Sequence, residues 1–252
     1  MDINDAFKNT CRVLLGEEIG ELKEYEDYLS KYVEKPYKKK SAISQRDIVV
    51  SPQHYCKNSK FISNDEMPKY AEIIEDAKFD INKIKDIDSI LGQLSEKLYY
   101  SGNIVIGNSR EVLESDSCAN SQYVYKSIRI YDSKFVAYSS DVRYGENIFG
   151  CDKVPPSKFL ISACHTHKSV RCMETLTTIM CSDCYYSAHL EECYNCLFSF
   201  NQKSRRNLIG NVQFTKEEYG KIKSKLLEDM KEMLKSKKSV PSIMDIISGK
   251  HA

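Results

Sequence analysis

The sequence predicts an α+β protein: a β-solenoid of stacked hexad repeats, with an N-terminal helical region and a C-terminal amphipathic helix. Three observations predict it. Small residues recur every six positions from Ser109 to Ser199. Aliphatic residues, Thr or Cys recur half a period later, and the flanking segments carry helical spacing instead.

The first zone, residues 1–98, reads as mainly helical. Phe7, Cys11, Leu14, Leu15, Leu22, Tyr25 and Leu29 recur at three- and four-residue steps, beside an acidic face of Glu17, Glu18, Glu21 and Glu24. Pro36 and the run Lys38, Lys39, Lys40 are expected to end that stretch in an exposed, charged connection. A short β-like run, Ile48 to Ser51, follows. Further helices are expected after Pro68 and again over Ile87, Ile90, Leu91, Leu94 and Leu98.

The middle zone, residues 99–213, carries the repeat. From Ser109 the positions Ser115, Ser121, Ser127, Ser133, Ser139, Gly145, Cys151 and Ser157 are all small, and the series runs on through Ser199. Three residues out of phase stand Val112, Cys118, Val124, Ile130, Val136, Val142, Ile148, Val154 and Leu160, then Thr166 through Cys196. The pattern breaks at Gln202 and Arg205. A strict six-residue period drifts around a 3.6-residue helix turn and does not match the two-residue alternation of a plain strand. A solenoid satisfies it, because identical positions stack into ladders and only certain side chains fit the narrow interior. At 12 to 24 residues per coil the repeat predicts roughly four to eight coils, each rising about 4.8 Å. The phrase Ser133, Lys134, Phe135, Val136 returns at Ser157, Lys158, Phe159, Leu160, and an upstream copy at Ser59, Lys60, Phe61, Ile62 marks Tyr55–Ser63 as an early coil or edge strand.

With these residues the chain resembles the hexapeptide- and pentapeptide-repeat β-solenoid families, over about residues 103–213. The resemblance is one of architecture. Hexapeptide acyltransferases look like aliphatic-Gly-x-x-small-x with inward residues spaced four and two, whereas the spacing here is three and three; the five-residue unit is missing altogether. The segment from Cys184 through Cys193 and Cys196 to Asn211, followed by a Lys/Glu-rich helix, is also similar to uncharacterised cysteine-rich repeat proteins of microbes. That resemblance implies a solenoid and brings no function with it.

The last zone, residues 214–252, opens with an amphipathic helix over Thr215 to about Lys237. Thr215 and Glu218 form a capping box. Tyr219, Ile222, Leu226, Leu227, Met230, Met233 and Leu234 make one apolar stripe, expected to pack on the chain's own domain, with lysines opposite. The tail from Val240, with Ile243, Met244, Ile246 and Ile247, reads as a docked or partner-bound strip.

Two chemical readings compete for the cysteines. Cys181 with Cys184, and Cys193 with Cys196, form two C-x-x-C pairs near His165, His167 and His189, a favoured spacing for tetrahedral zinc. Seven of the eight cysteines in the repeat nevertheless fall on the three-residue ladder, Cys164 alone being off it. In a ladder cysteine is a small buried hydrophobe, and C-x-x-C is a by-product of the period. No cofactor is therefore the first expectation and zinc the alternative.

Catalytic residues are not assigned. A Cys164–His pair lacks an orienting acid, and His165, His167 and His189 read first as surface histidines, although solenoid acyltransferases use such a residue as general base. P-loop, G-x-G-x-x-G, G-x-S-x-G and H-E-x-x-H patterns are absent from the sequence. Lys203, Arg205 and Arg206 are candidate nucleic-acid contacts, with Tyr185, Tyr186 and Tyr194 as stacking platforms; the alternative is that Arg205 and Arg206 cap the open end of the solenoid.

Composition limits the rest. The 252 residues carry 37 basic and 36 acidic side chains, so a chain that coats nucleic acid by overall charge is excluded. No apolar run reaches the ~20 residues of a membrane span, and the first twenty residues lack the form of a signal peptide. Ten cysteines without such a leader are expected to stay reduced in the cytoplasm. The expected role is a non-enzymatic scaffold or macromolecular-interaction module whose partner is another protein; the alternative is a zinc-binding module acting on nucleic acid or a nucleoprotein.

Overall fold

A computed structural model describes residues 1–51, 59–76 and 80–249. Helix α1, Ile3–Leu15, starts at Asp2, whose carboxylate accepts from the Asp5 amide, and stops at Gly16 with φ of 88°. The single helical spacing read from Phe7 to Leu29 is divided there, because Gly16 adopts the left-handed conformation that ends a helix. The chain resumes as a 3-10 turn, Leu22–Tyr25, and a short α2, Glu26–Leu29. The lysine run expected as a connection instead forms strand β1, Tyr37–Lys40, paired antiparallel with β2, Asp47–Val50. Its exposure alternates, so the lysines of the outer face stay in water while Tyr37 and Lys39 are partly covered.

Strand β3, Lys60–Ser63, and β4, Tyr99–Gly102, pair parallel in a separate two-stranded sheet. The upstream Ser59–Ile62 phrase is thus an edge element rather than a coil of the main stack. The Tyr55–Asn58 part of that expectation lies outside the described residues. Between β3 and β4 the chain makes a helical excursion, α3 (Met67–Asp76) and α4 (Ile87–Lys97).

From Val105 to Ile209 the chain winds as a β-solenoid of about nine turns. Val124, Val136 and Ile148 sit on one another in register, as do Ile130 and Val142, so a coil is twelve residues, two hexads. The turn count passes the expected range because the winding starts before Ser109 and continues beyond the break at Gln202 and Arg205.

Every third residue from Glu111 to Gly210 except Pro156 has a left-handed backbone, with φ between 45° and 69°. The residue after each one points inward. A coil is therefore four triplets, each made of an inward residue, an outward residue and a left-handed corner, and the interior is four columns wide. Proline is locked near φ −65°, which is why the series skips Pro156.

The small columns are more than a concession to space. Ser139 Oγ donates to the Ala137 carbonyl at 2.8 Å and accepts from the Cys151 amide, one coil on, at 3.1 Å. The same pair of bonds recurs at Ser121, Ser127 and Ser133. Each hydroxyl satisfies two backbone groups that the tight corner leaves outside the sheet ladder.

Outside, like rows stack at the same twelve-residue interval. Arg129 meets Asp141 through two bonds at 2.7 and 2.9 Å, Arg171 meets Asp183 at 2.8 and 2.6 Å, and Tyr186 stacks on Phe198 at 5.1 Å. One outward column is apolar: Ala137, Phe149, Ile161, Met173, Tyr185 and Leu197, all buried. It takes Phe7 of α1, Tyr25 and Leu29, and the long helix α5, Lys216–Lys237, through Tyr219, Met230 and Leu234. Thr215 and Glu218 form the expected capping box, and the α5 stripe packs on its own chain.

Short α6, Ile243–Ile247, docks at a buried acid. Glu174 accepts from Tyr28 Oη at 2.5 Å, Ser242 Oγ at 2.9 Å and the Ile243 amide at 2.8 Å. That carboxylate joins the N-terminal segment, the coils and the tail. Burial raises its pKa, and the three donors oppose the shift.

Candidate functional site

The coil geometry brings the four candidate metal cysteines together without giving them an open centre. Cys181 and Cys184 lie on one coil, Cys193 and Cys196 on the next, with Cys184 and Cys196 in direct register. Cys172 precedes them in the same column as Cys184. All five are buried. Their thiols do what the serines do elsewhere, each turning to the carbonyl two residues back: Cys181 to Ile179 at 3.3 Å, Cys184 to Ser182 at 3.4 Å, Cys193 to Glu191 at 3.2 Å and Cys196 to Tyr194 at 3.6 Å. Among the described residues no group of three or more His, Cys, Asp or Glu is arranged to hold a metal ion.

The thiols are shifted in both directions: hydrogen bonds from Cys184 lower Cys181 and Cys196, while their neighbours are raised. Cys184 is raised well above the usual thiol value by the surrounding thiols of Cys172, Cys181 and Cys196 and by burial. Burial pushes Cys193 up to about 11 and Cys118 up to about 12. Cys164, off the ladder and facing outward, is still buried and is pushed up to about 11. A nucleophile or a metal ligand needs thiolate, so the surroundings of Cys184, Cys193 and Cys164 work against both roles, whereas those of Cys181 and Cys196 do not. His165 and His189 share a column of left-handed corners 24 residues apart and are exposed, while His167 lies on another side of the coil. They do not converge with Cys164 into a catalytic constellation.

The basic residues sit at the last coils. Lys203 pairs with Glu191 at 2.7 Å. Arg205 occupies a small-column position beyond the last small residue, Ser199, and its carbonyl still accepts from the Tyr194 amide of the preceding coil at 3.0 Å. Arg205 and Arg206 line an open groove of about 580 Å³ with Met180, Glu192, Tyr194, Ser204 and Gln213. Of the three stacking candidates, Tyr194 alone is half exposed, at 51%. Tyr185 and Tyr186 are spent on packing: their hydroxyls donate to the Leu14 and Pro241 carbonyls at 2.8 and 2.9 Å.

The sequence reading missed two features of surface chemistry. The helical excursion leaves its apolar side chains uncovered, including Ile73, Ile74, Ile81, Ile87, Leu91, Leu94 and Leu98. The helical spacing announced those faces, but not that no described residue covers them. A cavity of about 180 Å³ also lies between α2, the β1–β2 pair and the first coils. Its lining comes from three distant stretches, which no local pattern could join.

None of the known protein families compared with this chain matches it, and no curated protein sequence matches it. Among the described residues, no helix is long and apolar enough to cross a membrane.

Proposed function

We propose that this chain is a non-enzymatic scaffold: a stiff solenoid that carries a helical arm to another protein. The observation that carries the reading is the contrast in burial. The coil interior and the helix-covered face are closed, whereas Ile81 and Ile87 of the arm are 79% and 71% exposed and Leu91 is 50% exposed. So many large apolar side chains left exposed on one helical segment are the kind of surface that marks an interaction site on a folded protein. The test is a photo-cross-linker placed at Leu91 in cells. A discrete cross-linked protein, rebuilt from purified components and lost on Ile87→Glu, supports the reading. If Ile87→Glu leaves the cross-linking pattern unchanged, the arm is not the docking element. Kinship with the hexapeptide or pentapeptide families stays at the level of architecture, and no acyl-transfer role is taken from it.

One observation supports the zinc alternative: the stack places Cys172, Cys181, Cys184, Cys193 and Cys196 in adjoining columns of consecutive coils. Zinc there would have to replace the carbonyl bonds of the thiols. Protein purified without added metal decides the matter. Stoichiometric zinc whose removal lowers Tm carries that reading, and a metal-free protein with a chelator-insensitive Tm removes it. The nucleic-acid role of Lys203, Arg205 and Arg206 stands or falls with salt-dependent binding of a single strand that Arg205→Ala and Arg206→Ala abolish.

A further inference from the structure

We propose that the cavity between α2, the β1–β2 pair and the first coils binds a small organic monocarboxylate with an apolar body. The cavity is independent of the scaffold reading and lies away from the helical arm. Its floor is a stacked column of left-handed corners, Glu114, Lys126 and Tyr138, from three successive coils. Its walls are Glu26 and Ser30 on one side and Pro36 and Val49 on the other, with Lys35 and Lys38 among the lining.

The charges in this lining do not close. Lys126 is neutralised by both oxygens of Glu26, at 2.6 and 2.8 Å, and the Tyr138 hydroxyl donates to the same carboxylate at 3.4 Å. Lys38 faces Glu114 at 3.8 Å, beyond hydrogen-bond length. Lys35 meets no carboxylate among the described residues. One positive charge is therefore left over, which a single carboxylate balances and a phosphate dianion exceeds.

A second, independent observation points the same way. Ser30 is 5% exposed, lines this cavity, and its Oγ has no hydrogen-bond partner. A buried hydroxyl left unmet costs on the order of 1–3 kcal/mol, so a ligand oxygen accepting from it gains that back. Pro36, Val49 and the Tyr138 ring supply apolar contact for the body of the acid. The cavity volume admits a short aliphatic acid and excludes a drug-sized one.

The full-length protein tests this by amide NMR titration with hexanoate, hexanamide and hexylamine. Hexanoate is expected to shift the resonances of Ser30, Val49, Glu114 and Lys126 saturably, with the amide and the amine at least tenfold weaker. Lys35→Met, at an exposed site, is expected to weaken hexanoate at least tenfold, and Ser30→Ala several-fold, while both variants keep the parent spectrum elsewhere. Equal binding of hexanamide, or no shift from any probe at cavity residues, overturns the proposal and leaves Ser30 to solvent.

Discussion

The coils before Pro155 and those after Pro156 share one backbone and fill it differently. Before the prolines the strands are two to five residues long and the interior is Ser, Val and Ile almost throughout. Just after them three strands run through the corners, Ser157–His167, Val170–Ile179 and Ser182–Glu191, before four-residue strands return from Tyr194, and the interior turns to Thr and Cys. Thr166, Thr178, Cys172 and Cys184 are as fully buried as Val136 and Ile148. The difference teaches that the square interior selects for volume and for a group able to reach the carbonyl two residues back. Hydroxyl and thiol both meet that need.

The largest expected effect concerns the thiols, which both parts of the solenoid contain. Cys118 and Cys11 are held up to about 12 and Cys164 up to about 11, against 9.0 for a free thiol. The folded state keeps protons that the unfolded chain releases, so their stabilising contribution is complete below pH 9 and is lost progressively as pH rises through about 11 for Cys164 and about 12 for Cys118 and Cys11. At about 1.4 kcal/mol per pH unit for each such group, the raised thiols together remove several kcal/mol per unit above pH 9, a trend that the lowered Cys181 and Cys196 oppose. Urea unfolding at pH 8, 9 and 10 measures it, and a flat profile would contradict the burial of the thiols.

Next comes the acid that ties both flanks to the later coils. Glu174→Leu strands the Tyr28, Ser242 and Ile243 donors and is expected to cost about 3–5 kcal/mol and to open the tail to proteolysis. Glu174→Gln keeps one carboxamide oxygen for Ser242 and the Ile243 amide, turns its NH2 toward Tyr28 Oη as a donor and removes the buried charge, so its cost should stay well below that of Leu, at about 1 kcal/mol. Equal losses from the two variants would show that charge, not hydrogen bonding, holds the tail.

Within the interior, Ser139→Ala removes both bonds of a fully buried hydroxyl and should cost about 1–3 kcal/mol by denaturant unfolding. The smallest effect is expected at the later coils. Cys193→Ser places in the small column a residue that column already uses at Ser157 and Ser169, and should fall within about 1 kcal/mol. Cys184→Ser puts a hydroxyl in the apolar column and should cost measurably more. A reversal of that order would mean that Cys193 does something other than fill a ladder.

Much of this architecture was legible in the residues, and what was not has physical reasons. The inward columns showed through because burial restricts their occupants. The coil length did not, since a six-residue period cannot distinguish one hexad from the next; only the outside does. Phe149, Ile161 and Met173 stand where α1 and α5 cover the coil, while their counterparts half a coil on, Pro155, His167 and Ile179, belong to a side those helices leave uncovered. The left-handed corners were hidden because residues that avoid that conformation occupy many of them, Tyr123, Phe159 and Thr177 among them. For the cysteines, phase alone separated the ladder from the C-x-x-C spacing. The carboxylate cavity had no local sign at all, since Ser30, Lys35 and Lys126 meet only after the coils are wound.

The corners carry a consequence for chirality. An L residue at φ near +50° crowds its Cβ against the following carbonyl, and a D residue in the same place does not. The coil is therefore a heterochiral object written in one hand, with two positions of each triplet suited to L residues and the third to their mirror images. A synthetic chain with D residues at Tyr123, Phe159, His165 and their counterparts would trace the same square path with relief of on the order of 1 kcal/mol at each corner.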